Sequence, residues 1–356
     1  MARLLPGDAA PWFRAPALGA NPAYAFDTAA GRHVLMLFLD SGTPAEVGAA
    51  LDEIARRRAL FDDARACVFG VVGDPGQLAD PRVAQQLPGI RFLLDYDGRV
   101  GRLYGSPPGP SWLLLDPTLR VIATAPAGRA AAILDMLAEL VASPPPEITA
   151  PVLIVPRVFE PELCRELIAY YQAQGGEESG FMREVDGKTV LIVDHRHKRR
   201  ADCTIADEAL RERLRARLAR FLAPQIKRAF QFDPTRIERW TVACYDANSG
   251  GYFRPHRDNS TKGTAHRRFA CTINLNAEDY DGGDLRFPEY GARLYRAPTG
   301  GALIFSCSLL HEATPVTAGR RYAFLPFFYD DAAAAEREAN NVFLGEGTTP
   351  YAPGPA

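Results

Sequence analysis

The chain has no CxxC pair: its six cysteines, Cys67, Cys164, Cys203, Cys244, Cys271 and Cys307, are scattered along 356 residues. That spacing excludes a paired-thiol motif, and a chain this long needs no disulfide staples, so a reducing compartment is the natural expectation. An excess of either charge is also missing. With 41 Lys+Arg against 43 Asp+Glu the formal net charge is −2 and the pI is near 6.3, which leaves no long-range pull toward nucleic acid or an anionic membrane. No nucleic-acid partner is expected; a small-molecule or protein/peptide substrate is. Long hydrophobic runs are absent too. The opening MARLLPGDAAPWF holds no signal-type apolar core, and the longest apolar stretch near it, Val34 to Leu39, is strand-sized. These absences predict a cytoplasmic protein that does not span a membrane, and no internal repeat or low-complexity tract complicates the picture.

The composition, 47% hydrophobic and 24% charged, is that of an ordinary soluble protein, and the length exceeds one typical domain. Residues 143–151 read SPPPEITAP, whose prolines stop both helix and central strand, so a linker is placed there between domains at 1–142 and 152–331, with a tail at 332–356. In the first domain short apolar runs (HVLMLFLD, ACVFGVVGD, IRFLLD, SWLLLD) alternate with helical patterns near 44–60 and 128–142, which predicts an α/β layer. In the second, amphipathic helices are expected at FEPELCRELIAYYQAQGG and from about Asp207 to Phe230. Strand patterns follow: IERWTVACYD, RRFACTINLN, GDLRFPE, GGALIFSCS and RYAFLPFFY. Helices followed by a run of strands predict an α+β domain built on an antiparallel barrel or sandwich, with an extended tail after Asn341.

LLPGDAAPWF, the strand VLMLFLD followed by SGTP, FLLDYDGRVGRLYG and WLLLDPTLRVIA together resemble peroxiredoxins of the thioredoxin-like superfamily. Peroxidase chemistry needs a thiolate just after the TP turn, activated by a helix N-terminus and an arginine. Here Ala45 and Glu46 follow TP, and residues 106–111 read SPPGPS without an arginine. Cys67 sits within an apolar strand pattern, where an inert buried thiol is the better expectation. No catalytic thiol is assigned. The domain is expected to be a redoxin fold without redox activity, serving packing, homo-oligomer formation or substrate presentation; a two-activity enzyme is the alternative.

Further on the chain reads GGYFRPHRDNS and, 55 residues after that histidine, SLLHEATPVTAGRRYAFLPFFY. Residues two apart on a strand share a face, so His256 and Asp258 can reach one ion while Arg257 points away. HxD alone says little; with Tyr245 before it, His311 after the GALIFSCS strand, and Arg321 opening the last strand, it suggests a 2-His-1-carboxylate set of the kind that holds Fe(II) with positions left open. The motifs ACYDANSGGYFRPHRDN, TINLN, YDGGDLRFPE and SCSLLHEATPVTAGRRYA resemble the prolyl 4-hydroxylase-like branch of the Fe(II)/2-oxoglutarate dioxygenases over 152–331.

That resemblance implies a double-stranded β-helix (jelly-roll, cupin-like) domain. In it His256, Asp258 and His311 bind iron, Arg321 pairs with the distal carboxylate of 2-oxoglutarate, and Tyr245 hydrogen-bonds it. Only one of the adjacent Arg320 and Arg321 can point inward, and the GxR context favours Arg321. Asn274 is a lesser cosubstrate candidate. The implied activity is an oxidoreductase hydroxylating a C–H bond of a peptide or amino-acid-like substrate, with Fe(II), 2-oxoglutarate and O2, and ascorbate as an optional reductant. Asp258 argues against halogenation. The alternative is a sensor module that holds iron without turnover. The segment DHRHKRRADC (194–203) is expected to be a mobile basic loop rather than a second metal site at His195 and His197. Lys198, Arg199, Arg200 and His266 are the candidates for a substrate entrance attracting an acidic or phosphorylated group.

Overall fold

The computed structural model describes residues 3–19, 21–39, 43–106, 109–143 and 148–352. It divides into two compact units, Met1–Ile148 with Pro288–Gly291, and Thr149–Phe287 with Ala292–Ala356. Part of the expected proline linker, 144–147, lies outside the described residues, as do 40–42 at the SGTP turn, 107–108 of SPPGPS, and 353–356 of the tail. Among the described residues, no helix is long and apolar enough to cross a membrane.

The first unit is a five-stranded mixed sheet. Its strands are β1 (His33–Phe38), β2 (Ala66–Val72), β3 (Ile90–Leu94), β4 (Ser111–Leu115) and β5 (Val121–Pro126), in spatial order β3-β2-β1-β4-β5. The β1/β2 and β2/β3 pairs are parallel; β1/β4 and β4/β5 are antiparallel. Every residue of β2 is buried, the unbroken apolar run expected of a strand covered on both faces. Helices α1 (Pro44–Arg56), α2 (Arg99–Tyr104) and α3 (Ala130–Ala142) complete the unit, and Ile133, Leu134 and Leu137 of α3 join its core. Glu46 is the N3 residue of a capping box with Thr43: its carboxylate accepts from the Thr43 backbone N–H at 3.1 Å and hydroxyl at 2.9 Å. The place a reactive thiol would need therefore carries a carboxylate that closes the helix end. Cys67 is fully buried, and burial pushes its thiol up to about 11.

In the second unit, α4 (Pro161–Gln174) stops at Gly175, which takes φ +79°. The helix expected over Asp207–Phe230 is present with an interruption. After α5 (Glu208–Arg217), capped by Asp207, a widened π turn covers Leu218–Leu222 before α6 (Ala223–Phe230). Pro224 has no N–H to return to the preceding turn, so the ladder loosens there. Leu163, Leu167, Leu210, Leu214, Leu218, Leu222 and Ile226 pack against Val242, Ile273, Ile304 and Phe324 of the sheet. Each such side chain contributes about 1.5–3 kcal/mol by leaving water.

The strands are β6 (Lys198–Arg199), β7 (Ala201–Thr204), β8 (Arg236–Glu238), β9 (Thr241–Asp246), β10 (Tyr252–His256), β11 (Phe269–Asn274), β12 (Leu285–Arg286), β13 (Leu294–Tyr295), β14 (Ala302–Ser306), β15 (His311–Ala313), β16 (Val316–Phe324) and β17 (Phe327–Tyr329). The smaller sheet runs β6-β10-β15-β12-β13. The larger runs β8-β17-β11-β16-β9-β7, and β14 joins it on β11.

Three expectations need correction. IERWTVACYD is two strands, because Arg239 adopts φ +73° between β8 and β9. DHRHKRRADC is not a mobile loop, since Lys198–Arg199 and Ala201–Thr204 are paired in the two sheets. The last long strand begins at Val316, five residues before Arg321, because Tyr280–Gly282 supplies it with a partner. Beyond these, the tail from 332 starts as a helix, α7 (Asp331–Ala339), whose Ala333 and Ala334 are buried and whose first turn is capped by Asp330. A hairpin, Phe181–Val185 with Lys188–Ile192, was not foreseen; Asp186 and Gly187 turn it with φ +47° and +74°.

Candidate active site

Strand β10 ends at His256, directly opposite His311 on β15, after an irregularity in the ladder between Phe253 and His256. Asp258 is not on the strand, so shared strand geometry does not explain HxD. It stands in the following turn, where its backbone N–H donates to the Cys307 carbonyl at 3.0 Å and Arg267 Nη1 donates to its own carbonyl at 3.3 Å. Arg257 is turned to the Ser308 carbonyl. Asp258 Oδ1 lies 3.5 Å from His256 Nε2, and Oδ2 lies 3.3 Å from His311 Nε2. One ligand atom from each of the three falls within 4.8 Å of the others.

Both rings are oriented from behind. His256 Nδ1 meets the Arg254 carbonyl at 2.7 Å and His311 Nδ1 the Leu309 carbonyl at 3.0 Å. A carbonyl only accepts, so each Nδ1 carries the proton and each Nε2 turns a lone pair inward. His256 stacks on Phe253 with centroids 3.5 Å apart, and Phe305 packs edge-on to His311 at 4.5 Å. Burial, reinforced by His311, pushes His256 down to about 4, so it is neutral at pH 7. Two lone pairs and a carboxylate converging in a buried space are mutually repulsive, and a divalent cation with hard-to-borderline preferences relieves that repulsion.

A second polar pocket lies on the larger sheet. Tyr245 pairs with Arg321 and Asp246 with Arg320 across β9 and β16, so the two arginines take opposite faces. Arg320 points to solvent, its Nε bonding Asp246 at 2.7 Å. Arg321 is only 2% exposed. Its Nη2 donates to Thr272 Oγ1 at 2.9 Å and its guanidinium lies 5.1 Å over the Tyr245 ring, yet Nε and Nη1 have no hydrogen-bond partner. The buried Tyr280 hydroxyl, near enough to feel the arginine's charge, has none either. Unsatisfied buried donors are costly, and a carboxylate entering beside Tyr280 would satisfy some of them. Gly283, at φ +67°, makes the room: a Cβ there would come within 3.1 Å of Arg321 Cδ and 2.8 Å of Val316 Cγ2. Asn274 is buried, with Nδ2 donating to the Ala297 carbonyl at 2.7 Å and Oδ1 unpaired.

Residues 240–329, which contain the triad and Arg321, match the model of the 2OG-Fe(II) oxygenase superfamily. The second unit carries a 2OG-Fe(II) oxygenase domain. Among curated relatives, a PKHD-type hydroxylase of Synechococcus sp. (strain JA-2-3B'a(2-13)) is 34% identical over 96 residues, which is 25% of this chain and 42% of that protein. The chain thus spans about two fifths of the length of the curated relatives it matches. A solved prolyl hydroxylase from Trichoplax adhaerens, in complex with a hypoxia inducible factor peptide fragment, covers 52% of this chain and 87% of its own at 20% identity and TM-score 0.42. A thiol:disulfide interchange protein, DsbE, of Chlorobium tepidum covers 38% of this chain and 99% of its own at 24% identity and TM-score 0.30.

Of the basic residues expected at an entrance to the oxygenase domain, only Arg199 is exposed, its Nη1 bonding the Ser249 carbonyl at 3.0 Å. Lys198 is buried against Ser179 and Gly180, and Arg200 against Asp202 and the Tyr245 hydroxyl. His266 is 1% exposed and bonds Glu238 at 2.7 Å, so it faces no mouth. The β6 and β7 ladders draw Lys198 and Arg200 inward, which charge counting along the segment could not reveal. His195 is exposed beside Glu178, while His197 packs on Phe181 and Phe253, so the two do not converge on an ion. Thr272, Tyr280 and Gly283 were missed. Period-two alternation from Asn274 would have found Thr272, and YDGGD already held the other two.

Proposed function

We propose that the second unit is an Fe(II)- and 2-oxoglutarate-dependent dioxygenase that hydroxylates a C–H bond of a peptide, prolyl-type, or amino-acid-like substrate and releases succinate and CO2. One conjunction carries this reading: a largely buried two-histidine, one-carboxylate cluster in the same domain as a buried arginine that lacks a carboxylate partner among the described residues. His256 and His311 would hold the metal through Nε2 and Asp258 through its carboxylate, while Arg321 with Tyr280, Thr272 and Tyr245 would hold the distal carboxylate of the keto acid. When bound, iron and 2-oxoglutarate supply the oxidising chemistry, coupling decarboxylation to transfer of an oxygen atom onto the substrate.

The chain supplies orientation. The carbonyls of Arg254 and Leu309 fix the tautomer of each imidazole, so neither ring must reorganise to bind. Arg321 offers a planar, permanently charged fork in a space without water's competition, which fixes the keto acid in one orientation. Phe253 and Phe305 pack against the two histidine rings and limit their movement. Incubating the full chain with Fe(II), 2-oxoglutarate and O2, with and without ascorbate, tests the proposal against proline-containing peptides and free amino acids. Succinate formed one-for-one with 2-oxoglutarate consumed, and one oxygen added to a substrate, is the expected result. Iron and 2-oxoglutarate bound without succinate would favour a sensor module instead.

A further inference from the structure

Beside its centre, the oxygenase domain holds more positive charge than its own carboxylates answer. Asp202 alone serves three cations. Arg200 reaches it through Nε at 2.7 Å and Nη2 at 2.6 Å, and Arg239 through Nη2 at 2.9 Å. Lys198 joins through Ser179 Oγ, to which its Nζ donates at 2.7 Å and Arg200 Nη2 at 3.2 Å. Glu238 does not make up the difference, since Arg267 bonds it at 2.7 Å and Arg337 lies 3.9 Å away.

These groups border the metal-ligand set. Lys198 Nζ lies 4.9 Å over Phe253, the ring on which His256 stacks. Arg239 lies 5.7 Å over Phe327, and Arg267, 4.2 Å over the same ring, donates to the Asp258 carbonyl. Arg239 is the member that opens outward: its side chain is 29% exposed against 5% for Arg200. Among the described residues its hydrogen bonds reach Asp202 only, through one of three nitrogens. Its φ of +73° is an uncommon conformation for a long side chain and breaks the β8–β9 strand pattern. Strain of this kind persists where the surroundings hold a side chain in place, and it clusters at ligand clamps.

We propose that Arg239, backed by Lys198 and Arg200, recognises a carboxylate on the primary substrate and makes the enzyme specific for an acidic one. The proposal rests on the dioxygenase reading and names the substrate class of that site. A carboxylate fits better than a phosphate dianion, because Asp202 already shares the cluster and Asp258 stands nearby, so a second negative charge would be repelled by both. Burial and Arg200 push the Lys198 amine well below its ordinary range, and a bound carboxylate would favour its charged form.

The test is equilibrium binding by ligand-observed NMR to the full chain, with two acid and amide pairs as probes: N-acetyl-L-proline with N-acetyl-L-prolinamide, and N-acetylglycine with its amide. The acids should bind about tenfold more tightly than the amides, the gain of one charge-assisted pair. That preference should survive Arg321→Gln, collapse in Arg239→Gln, and return in part with Arg239→Lys. Equal binding of acid and amide to the wild type, loss of the preference in Arg321→Gln instead, or its persistence in Arg239→Gln overturns the proposal. The wild-type comparison needs no variant to fold. Succinate release, measured on the same preparations, fails independently if the dioxygenase reading is wrong, because binding to Arg239 needs neither iron nor 2-oxoglutarate.

Discussion

Arg320 and Arg321 are neighbours with the same side chain and opposite fates, and their contrast makes the sharpest substitution test. Replacing Arg321 with Gln removes the charge from the proposed 2-oxoglutarate pocket and should weaken 2-oxoglutarate binding by about 2–5 kcal/mol, whereas Arg320→Gln should leave it within about twofold. Calorimetric titration of the keto acid into each variant reads the difference; reversed effects would mean the strand register is one residue out. Gly283→Ala should also weaken 2-oxoglutarate, since a methyl group at φ +67° crowds the Arg321 stem. Unchanged keto-acid affinity in a folded Gly283→Ala protein would rule out that role for the glycine. The sequence made His256, Asp258, His311 and Arg321 visible because their chemistry resides in residue type and spacing. Arg239 stayed invisible among many arginines, because its backbone conformation and partial exposure are properties no residue name carries.

Elements were legible where periodicity is strong. β2 reads as a buried strand and α4 as a helix ended by glycine, and both form. What failed was continuity: Arg239 splits one strand pattern, Pro224 widens one helix, and pairing with Tyr280–Gly282 lengthens β16 backward. Pairing partners from distant segments decide such boundaries, and a single segment cannot announce them. The same distant packing makes stability depend on pH in a definite direction. His197, boxed in by Phe181 and Phe253, is pushed down to about 4 by burial and then by Arg183, so the folded state takes up fewer protons than the unfolded chain between about pH 6.5 and 4. Stability of the metal-free protein should therefore fall as pH drops through that window. Below it, Asp202 and Glu238 are held below their usual range despite burial, by Arg200 and Arg267 respectively, and protonating them should steepen the loss. Urea denaturation midpoints across pH 4–8 would check this, and a flat profile would contradict the buried, neutral state of His197.

At the scale of the whole molecule, a redoxin-like resemblance and a 2OG-Fe(II) oxygenase domain share one chain, and the proposed chemistry belongs to the second. All six cysteines are buried and free of disulfides, and the TP turn leads into a helix closed by Glu46 rather than by a thiol. The full chain should therefore show no thiol-dependent consumption of hydrogen peroxide, and Cys67→Ser should not alter that; turnover lost on Cys67→Ser would make this a two-activity enzyme. The central claim is that His256, Asp258 and His311 assemble one iron site that works with 2-oxoglutarate. Its most direct test is an anaerobic titration of the metal-free chain with Fe(II) and 2-oxoglutarate, following the weak visible charge-transfer band that a keto acid chelated to Fe(II) produces. The account predicts a band that saturates at one iron per chain in the wild type and is absent in folded His311→Ala; an undiminished band in that variant, or none in the wild type, would contradict it.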